Sequence, residues 1–276
     1  MSMAVAELPP AALAFDTIAE GFDDRFGAWL SVAAQRRAVR RALLKAFPVG
    51  ARLLEIGGGT GEDALWLVER GREVLLTDAS PAMARVAAAK LAGHAGASAE
   101  IAPAEALDVR ADALAGSRPF DGAYSNFAAL NCVADLTRFG RGLARALRPG
   151  APAILVLFGV ACPGEMLVEG LRGRPRNMFR RLAKGEVPAR LGGRTFTVRY
   201  HRRVDIVRAL SPWFAPVGRR GVGVFVPPSA AEPWISRHPK LLNGLEALDR
   251  TVSGSLASLG DHVLYSFVRT DAEPPA

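Results

Sequence analysis

The run Glu55-Ile56-Gly57-Gly58-Gly59-Thr60-Gly61 decides the fold. It closes a short apolar strand, Arg52 to Ile56, with four glycines in five positions. Glycine lacks a Cβ, so the backbone can turn sharply there and a ligand can approach it closely. Behind the cluster, Glu62 to Arg70 has helical spacing, with Ala64, Leu65, Leu67 and Val68 on one side. A helix start offers free N–H groups to an anion or a carboxylate. Strand, glycine turn and helix in that order open a nucleotide-binding α/β unit.

Working outward, Glu73 to Thr77 reads as the second strand and ends at Asp78, 17 residues after Gly61. An acid at that point can accept hydrogen bonds from ribose hydroxyls. Ser80-Pro81 is a helix start, because serine caps free N–H groups and proline fits the first helical position; this helix runs to about Leu91. Further strands are expected at Ser98 to Ala102, Phe120 to Ser125 and Ile154 to Phe158, with a helix from Asp135 to Leu147. A short helix from Val204 to Leu210, a strand near Val217 to Val224 and a last strand, His262 to Arg269, complete the series. Such alternation implies a mostly parallel, seven-stranded Rossmann-like sheet with helices on both faces.

At 276 residues the chain has room for one large core. One domain is expected, with a helical N-terminal cover (1–48), a cofactor-binding core (49–159), a basic, helical lid inserted after the fifth strand (160–203) and the rest of the sheet (204–270). The lid carries eleven basic side chains against three acids, an excess equal to the +8 of the whole chain. The two cysteines, Cys132 and Cys162, form no CxxC pair, and no His/Cys cluster has metal-ligand spacing, so neither structural zinc nor any other metal is expected. Glu7, Pro9-Pro10 and a first basic residue only at Arg25 are unlike a secretory leader. The longest apolar stretch, Ala151 to Cys162, is broken by Pro152 and falls short of the roughly 20 residues that span a bilayer. A soluble, cytoplasmic protein without membrane partners is the expectation.

Two cofactors suit the glycine turn. Gly59-x-Gly61-x-x-Ala64 matches the dinucleotide fingerprint, but it begins two residues after the strand has ended. The register that starts at the strand end, Gly57-x-Gly59-x-Gly61, places Glu62 where a small residue is wanted, and an acid there repels a pyrophosphate. A zwitterionic amino-acid ligand meets no such objection, which favours S-adenosylmethionine over NAD.

The sequence resembles the class I S-adenosylmethionine-dependent methyltransferases, of the type 11/25 kind, through Glu55, Gly57, Gly59 and Gly61, through Asp78-Ala79-Ser80-Pro81-Ala82-Met83, and through Leu147-Arg148-Pro149-Gly150. The resemblance covers roughly residues 15–160 and the last strands. It implies that the glycine loop holds the methionine part of the cofactor, that Asp78 binds its ribose and that Met83 flanks its adenine. Many relatives carry Asp where this chain has Pro103, which leaves the Ala104 backbone and Glu105 as adenine contacts. Phe15-Asp16-x-Ile18-Ala19 resembles the family's N-terminal helix over the site, making Phe15 a further contact.

Several residues keep two readings. Glu55 in a buried strand needs a partner: it serves the cofactor site or a structural salt bridge. Asn126, at the exit of the fourth strand, lines the pocket or caps a turn. His201, the junction residue in Tyr200-His201-Arg202-Arg203, is a general base or a packing residue; His262 is a weaker candidate for the same task. Methyl transfer to a good nucleophile needs positioning more than a base. Ser125-Asn126-Phe127-Ala128 lacks the Asn/Asp-Pro-Pro-aromatic motif and Cys132 lacks a preceding proline, which argues against DNA methylation. The basic insert recognises a small anionic acceptor, free or on an acidic carrier protein, binds RNA, or is a solvated surface. The expected activity is methyl transfer to an O or N nucleophile of a small molecule; an RNA-directed enzyme and a non-catalytic cofactor-binding accessory protein are the alternatives.

Overall fold

The computed structural model describes residues 8–275, so Glu7 and the final Ala276 lie outside the described residues. Three helices, α1 (Pro10–Asp16), α2 (Phe22–Gly27) and α3 (Leu30–Ala46), precede the first strand. The chain then alternates through β1 (Arg52–Ile56), α4 (Glu62–Val68), β2 (Glu73–Asp78), α5 (Pro81–Leu91), β3 (Ala97–Ile101), α6 (Leu107–Ala115), β4 (Gly122–Ser125), α7 (Leu136–Ala146) and β5 (Pro152–Phe158). Beyond β5 come α8 (Pro163–Leu171), α9 (Pro175–Met178), β6 (Glu186–Leu191), β7 (Arg194–Arg199), α10 (Arg203–Leu210), β8 (Phe214–Val222), α11 (Pro239–Val252) and β9 (His262–Arg269).

Seven strands form one sheet in the order β3-β2-β1-β4-β5-β9-β8. All pairings from β3 to β5 are parallel, and β9 lies antiparallel between β5 and β8. The strand order reverses between β1 and β4, and ligands of such sheets bind at the carboxyl ends of the strands beside that switch. β1 is buried on both faces, which is why Leu53, Leu54 and Ile56 read as a run without alternation. One face packs Phe120, Leu136, Phe139 and Leu143 with Leu107 and Leu114 of α6. The other packs Val39 and Leu43 of α3, with Phe47 just beyond it, against Leu53, Leu76 and Tyr124. Full burial of each such large side chain contributes roughly 1.5–3 kcal/mol.

Three regions depart from the expectations, one being α11, which fills a stretch given no element. Helix α6 lies in a stretch to which the sequence assigns no element; its buried residues include the small Ala111 and Ala115, which leave a weak helical stripe. The 160–203 insert is helical only as far as the turn at Arg180–Leu182, after which β6 and β7 form an antiparallel hairpin. Val187, Ala189, Leu191, Phe196 and Val198 alternate with exposed polar residues, and together with Tyr200 they pack on Ala11, Ala14 and Phe15 of α1. The tip, Gly192-Gly193, has φ of +56° and +79°, and a Cβ on Gly192 would stand 1.9 Å from Thr17 Oγ1. No helix among the described residues is long and apolar enough to cross a membrane.

Candidate active site

The glycine turn leaves β1 at the carboxyl edge, with Gly57, Gly59 and Gly61 at φ of +66°, +58° and +82°. Each conformation disfavours an L side chain, but the space around them differs. A Cβ on Gly57 would stand 2.3 Å from the Cβ of Ala129, and one on Gly58 would stand 2.5 Å from Leu76 and 2.8 Å from the Glu55 carboxyl carbon. A Cβ on Gly59 would meet no protein atom within 4 Å. Gly59 therefore borders open space, whereas its neighbours seat the turn against the sheet. Gly61 is the N-cap of α4 and makes no side-chain cap, so the first N–H groups of that helix keep no side-chain partner there.

Asp78, at the end of β2, is tied to the same turn. Gly59 N–H donates to its Oδ2 at 2.9 Å and Ser80 N–H to its Oδ1 at 2.8 Å. Each carboxylate oxygen retains a lone pair to accept a hydroxyl. Burial raises its pKa, against the opposing pull of those backbone N–H groups. Ser80 caps α5 as read, accepting from Met83 N–H at 3.1 Å. Its hydroxyl donates to Asp16 Oδ1 at 2.6 Å, and Ala82 N–H donates to the same oxygen at 2.8 Å. Asp16 thus fixes α1 over the site. Phe15 beside it packs against Phe22 and Phe196, 6.4 and 6.1 Å between ring centroids. The signal for Asp16 was the Phe15-Asp16 pair, of which only the aromatic member drew a role.

Glu55 lies under this turn, 2 % exposed, with no salt bridge and no hydrogen-bond partner for Oε2. Its register neighbour Tyr124 is equally buried and its hydroxyl equally unpartnered. Burial first, then the nearby Asp63, pushes the Glu55 pKa well above the ordinary carboxylate range. The folded state thus binds this proton more tightly than the unfolded chain, so stability falls as pH rises from the ordinary carboxylate range toward the raised value. Glu55→Gln is expected to match the wild type near pH 4 and to melt higher at pH 8. Melting curves at both values check this, and a lower Tm at pH 8 would contradict it.

The exit of β4 is tightly organised. Asn126 is buried, its Nδ2 donates to Asp63 Oδ2 at 2.7 Å and its Oδ1 accepts the Phe127 N–H at 2.8 Å. Asp63 also receives Arg36 at 3.1 Å and Arg40 at 2.7 Å, a hub that sequence spacing could not disclose. Phe127 and Ala128 follow at φ of +48° and +65°. Two consecutive non-glycine residues in that region hold strain of the kind found at functional sites. Met83 is fully buried with Ala19 and Ala82 under α1. Ala104 opens a 3₁₀ turn and Glu105 lines a cavity of about 180 Å³ with Pro10, Cys132 and Phe196. Burial raises the Glu105 pKa.

The two histidines occupy different places. His262 starts β9 opposite Phe158, stacks on that ring at 4.9 Å and meets Phe127 edge-on at 5.7 Å. Its Nδ1 lies 3.5 Å from Asp261 Oδ2, and burial lowers its pKa. His201 instead sits beyond the end of β7, with Nε2 buried and without a partner. Burial, then Arg199, lowers its pKa. The structure therefore gathers Phe15, Glu55, the glycines, Asp78 and Met83 around one edge of the sheet, and places His201 at the end of the 160–203 insert. Among the described residues no group of His, Cys, Asp and Glu is disposed to hold a metal ion.

The family model described as a methyltransferase domain matches residues 53–150, which span the sheet from β1 to β4 and the helices between. Over 252 residues the chain is 29 % identical to a malonyl-[acyl-carrier protein] O-methyltransferase of Geobacter sulfurreducens, covering 87 % of this chain and 84 % of the relative. In fold it resembles an S-adenosylmethionine-dependent methyltransferase from Mesorhizobium loti, at a TM-score of 0.52 and 23 % identity over 85 % of this chain and 98 % of the other. It also resembles the [4+2]-cyclase SpnF, at a TM-score of 0.61 and 16 % identity over 98 % of both chains. Residues 53–150 thus match a methyltransferase domain, and the fold is that of S-adenosylmethionine-dependent methyltransferases. The unpartnered Glu55 carboxyl, the open space over Gly59 and the spare lone pairs of Asp78 fit that cofactor.

Proposed function

We propose that this chain methylates an oxygen of a small anionic acceptor carried on an acidic carrier protein. The observation that carries this reading is the place of the positive charge: the eleven-cation insert continues directly from β5 at the carboxyl edge and folds back onto α1, over the cofactor turn. A carrier presenting an acid at that edge meets an attractive field, and the curated relative named above bears the same class of acceptor in its name.

In this reading Gly57, Gly59 and Gly61 give the methionine end of the cofactor close access to the backbone, and Asp78 accepts the ribose hydroxyls. Phe15, Met83, the Ala104 backbone and Glu105 bound the adenine side. When bound, S-adenosylmethionine supplies a methyl group already activated by its sulfonium. The protein's task is then positioning in line with that methyl. A carboxylate acceptor carries no proton at neutral pH, so no base is required of His201, and Asn126 works by holding the β4 exit to Asp63. Of the insert's aromatics Phe196 is buried, Tyr200 is half-buried and only Phe179 is exposed, which supports a small acceptor over RNA, whose bases need exposed stacking platforms. Two cysteines without a disulfide support a cytoplasmic setting.

The test is methyl transfer from labelled cofactor to a malonyl thioester on a carrier protein, to the same thioester on a small thiol, and to transfer RNA. A base-labile methyl ester on the carrier-borne acid is expected, at a rate at least ten times that of the small thioester. Label in RNA, or in no acceptor, would overturn the reading.

A further inference from the structure

A cavity of about 280 Å³ lies in the 160–203 insert, bounded by Val160 beyond β5, Lys184 before β6, Arg199 at the end of β7, and His201, Arg202 and Asp205 around the start of α10. Nothing in the cofactor site uses it. Lys184 and Arg202 are exposed, and no carboxylate of the described residues lies within ion-pair distance of either. Arg199 is held by Glu186 at 2.8 Å, so it lends the wall rigidity while its charge is shared. Its backbone carbonyl accepts from Asn131, whose own Oδ1 accepts the Phe158 N–H at 2.9 Å. The wall is thereby anchored to the strand end where the acceptor would react. Helix α10 begins here without a side-chain cap, and the buried Nε2 of His201 has no partner.

Two unpaired cations, the ring of His201 and an uncapped helix start border one concavity whose lining contains a single carboxylate, Asp205. Several donors of different reach around one space suit a tetrahedral polyoxyanion better than a planar carboxylate, which one bidentate arginine would serve. We propose that this cavity binds a phosphate ester of the acceptor, placing the acyl end past Val160 at the exits of β4 and β5. The phosphate has two sources of the same chemistry: the phosphodiester that joins a thioester arm to a carrier protein, and the phosphates of a free coenzyme thioester. The proposal rests on the reading of the chain as a methyltransferase of anionic acceptors, but phosphate binding itself is measured without turnover.

The first arm follows the backbone NMR signals of His201, Arg202 and Arg203 during titration with inorganic phosphate. Saturable shifts at millimolar concentration are expected, weakened at least tenfold in the double variant Lys184→Gln/Arg202→Gln, both sites being exposed and outside the core. Shifts that never saturate, or that saturate equally in the variant, would overturn the proposal. The second arm compares KM for a carrier-borne malonyl thioester, a carrier-free phosphopantetheine thioester, a coenzyme thioester and a thioester of a phosphate-free thiol. In the double variant KM should rise about tenfold for a phosphate-bearing acceptor, with kcat unchanged, and stay constant for the phosphate-free one. An increase shared by the carrier-borne acceptor and the carrier-free phosphopantetheine thioester identifies the arm's phosphate as the source, and an increase confined to the coenzyme thioester identifies the coenzyme's other phosphates. An increase confined to the carrier-borne acceptor alone would report the carrier's attraction to the insert and overturn the phosphate's role. Equal change for all four acceptors would overturn the cavity's role. Saturable phosphate binding with no methylation of any thioester would remove the proposed acceptor and leave the phosphate site standing.

Discussion

Replacing Arg181 with methionine is expected to destabilise the protein by about 3–5 kcal/mol at neutral pH, the usual cost of leaving buried charges without their partner. Arg181 follows α9 in the turn Arg180–Leu182, and its side chain is 6 % exposed. Its Nε donates to Glu165 Oε2 at 2.9 Å, and its Nη2 donates to Asp261 Oδ1 at 2.6 Å and to Glu165. Its Nη1 donates to the carbonyls of Asp261 and Gly159 at 2.7 and 3.2 Å. All five guanidinium N–H bonds are used. Methionine fills similar volume but strands Glu165 and Asp261 in the interior, with Gln35, at 3.1 Å, and His262, at 3.5 Å, left beside Asp261 and Arg180, at 2.7 Å, beside Glu165. Burial alone would raise the Asp261 pKa; His262 and Arg181 together hold it below the ordinary carboxylate range. A depressed carboxylate stabilises the fold above its unfolded pKa and loses that contribution as pH falls through the folded value. The deficit of the variant should therefore shrink toward acid. Urea midpoints at pH 7 and pH 4 measure it, and a loss below about 1 kcal/mol at pH 7 would show that the triad does not hold the insert to the sheet.

Alanine at Gly57 and alanine at Gly59 are expected to fail in opposite ways. At Gly57 the new Cβ meets Ala129 at 2.3 Å and the residue keeps φ of +66°. Strain of roughly 1–3 kcal/mol and overpacking of a further 1–3 kcal/mol should lower the melting temperature sharply. At Gly59 the strain is similar in kind, but the methyl enters open space above the turn. The Gly59→Ala protein should remain folded and lose at least thirtyfold in affinity for S-adenosylhomocysteine, since its methyl occupies the approach to the backbone. Melting curves and ligand titration on the two variants separate these effects. Unchanged affinity in Gly59→Ala would place the ligand elsewhere.

The central strands were legible because they are covered on both faces and announce themselves as apolar runs, as Leu53, Leu54 and Ile56 do. Asp78 and Ser80 were legible because a strand end and a helix cap are local events. The hairpin was not, since Val187 to Leu191 and Phe196 to Val198 cover α1, outside the sheet core, and their alternation is interleaved with Arg190, Arg194 and Arg199. Arg181 reads as one more arginine in a basic segment until the fold brings Asp261 to it across 80 residues. Asp63 likewise reads as first-turn acid on a helix, and only the packing of α3 shows it gathering Arg36, Arg40 and Asn126. Glu55 reads as needing a partner, whether a salt bridge or the cofactor; the structure gives it no salt bridge, and burial pushes its pKa well above the ordinary carboxylate range.

The central claim is that the glycine turn and Asp78 together hold the cofactor. Calorimetric titration with S-adenosylmethionine, S-adenosylhomocysteine and NADH, on the wild type and on Asp78→Asn, tests it most directly. Micromolar binding of both adenosyl ligands, none of NADH, and a loss of tenfold or more in the folded Asp78→Asn variant are the results predicted. Equal adenosyl affinity with and without the Asp78 carboxylate, or tighter binding of NADH, would contradict the account.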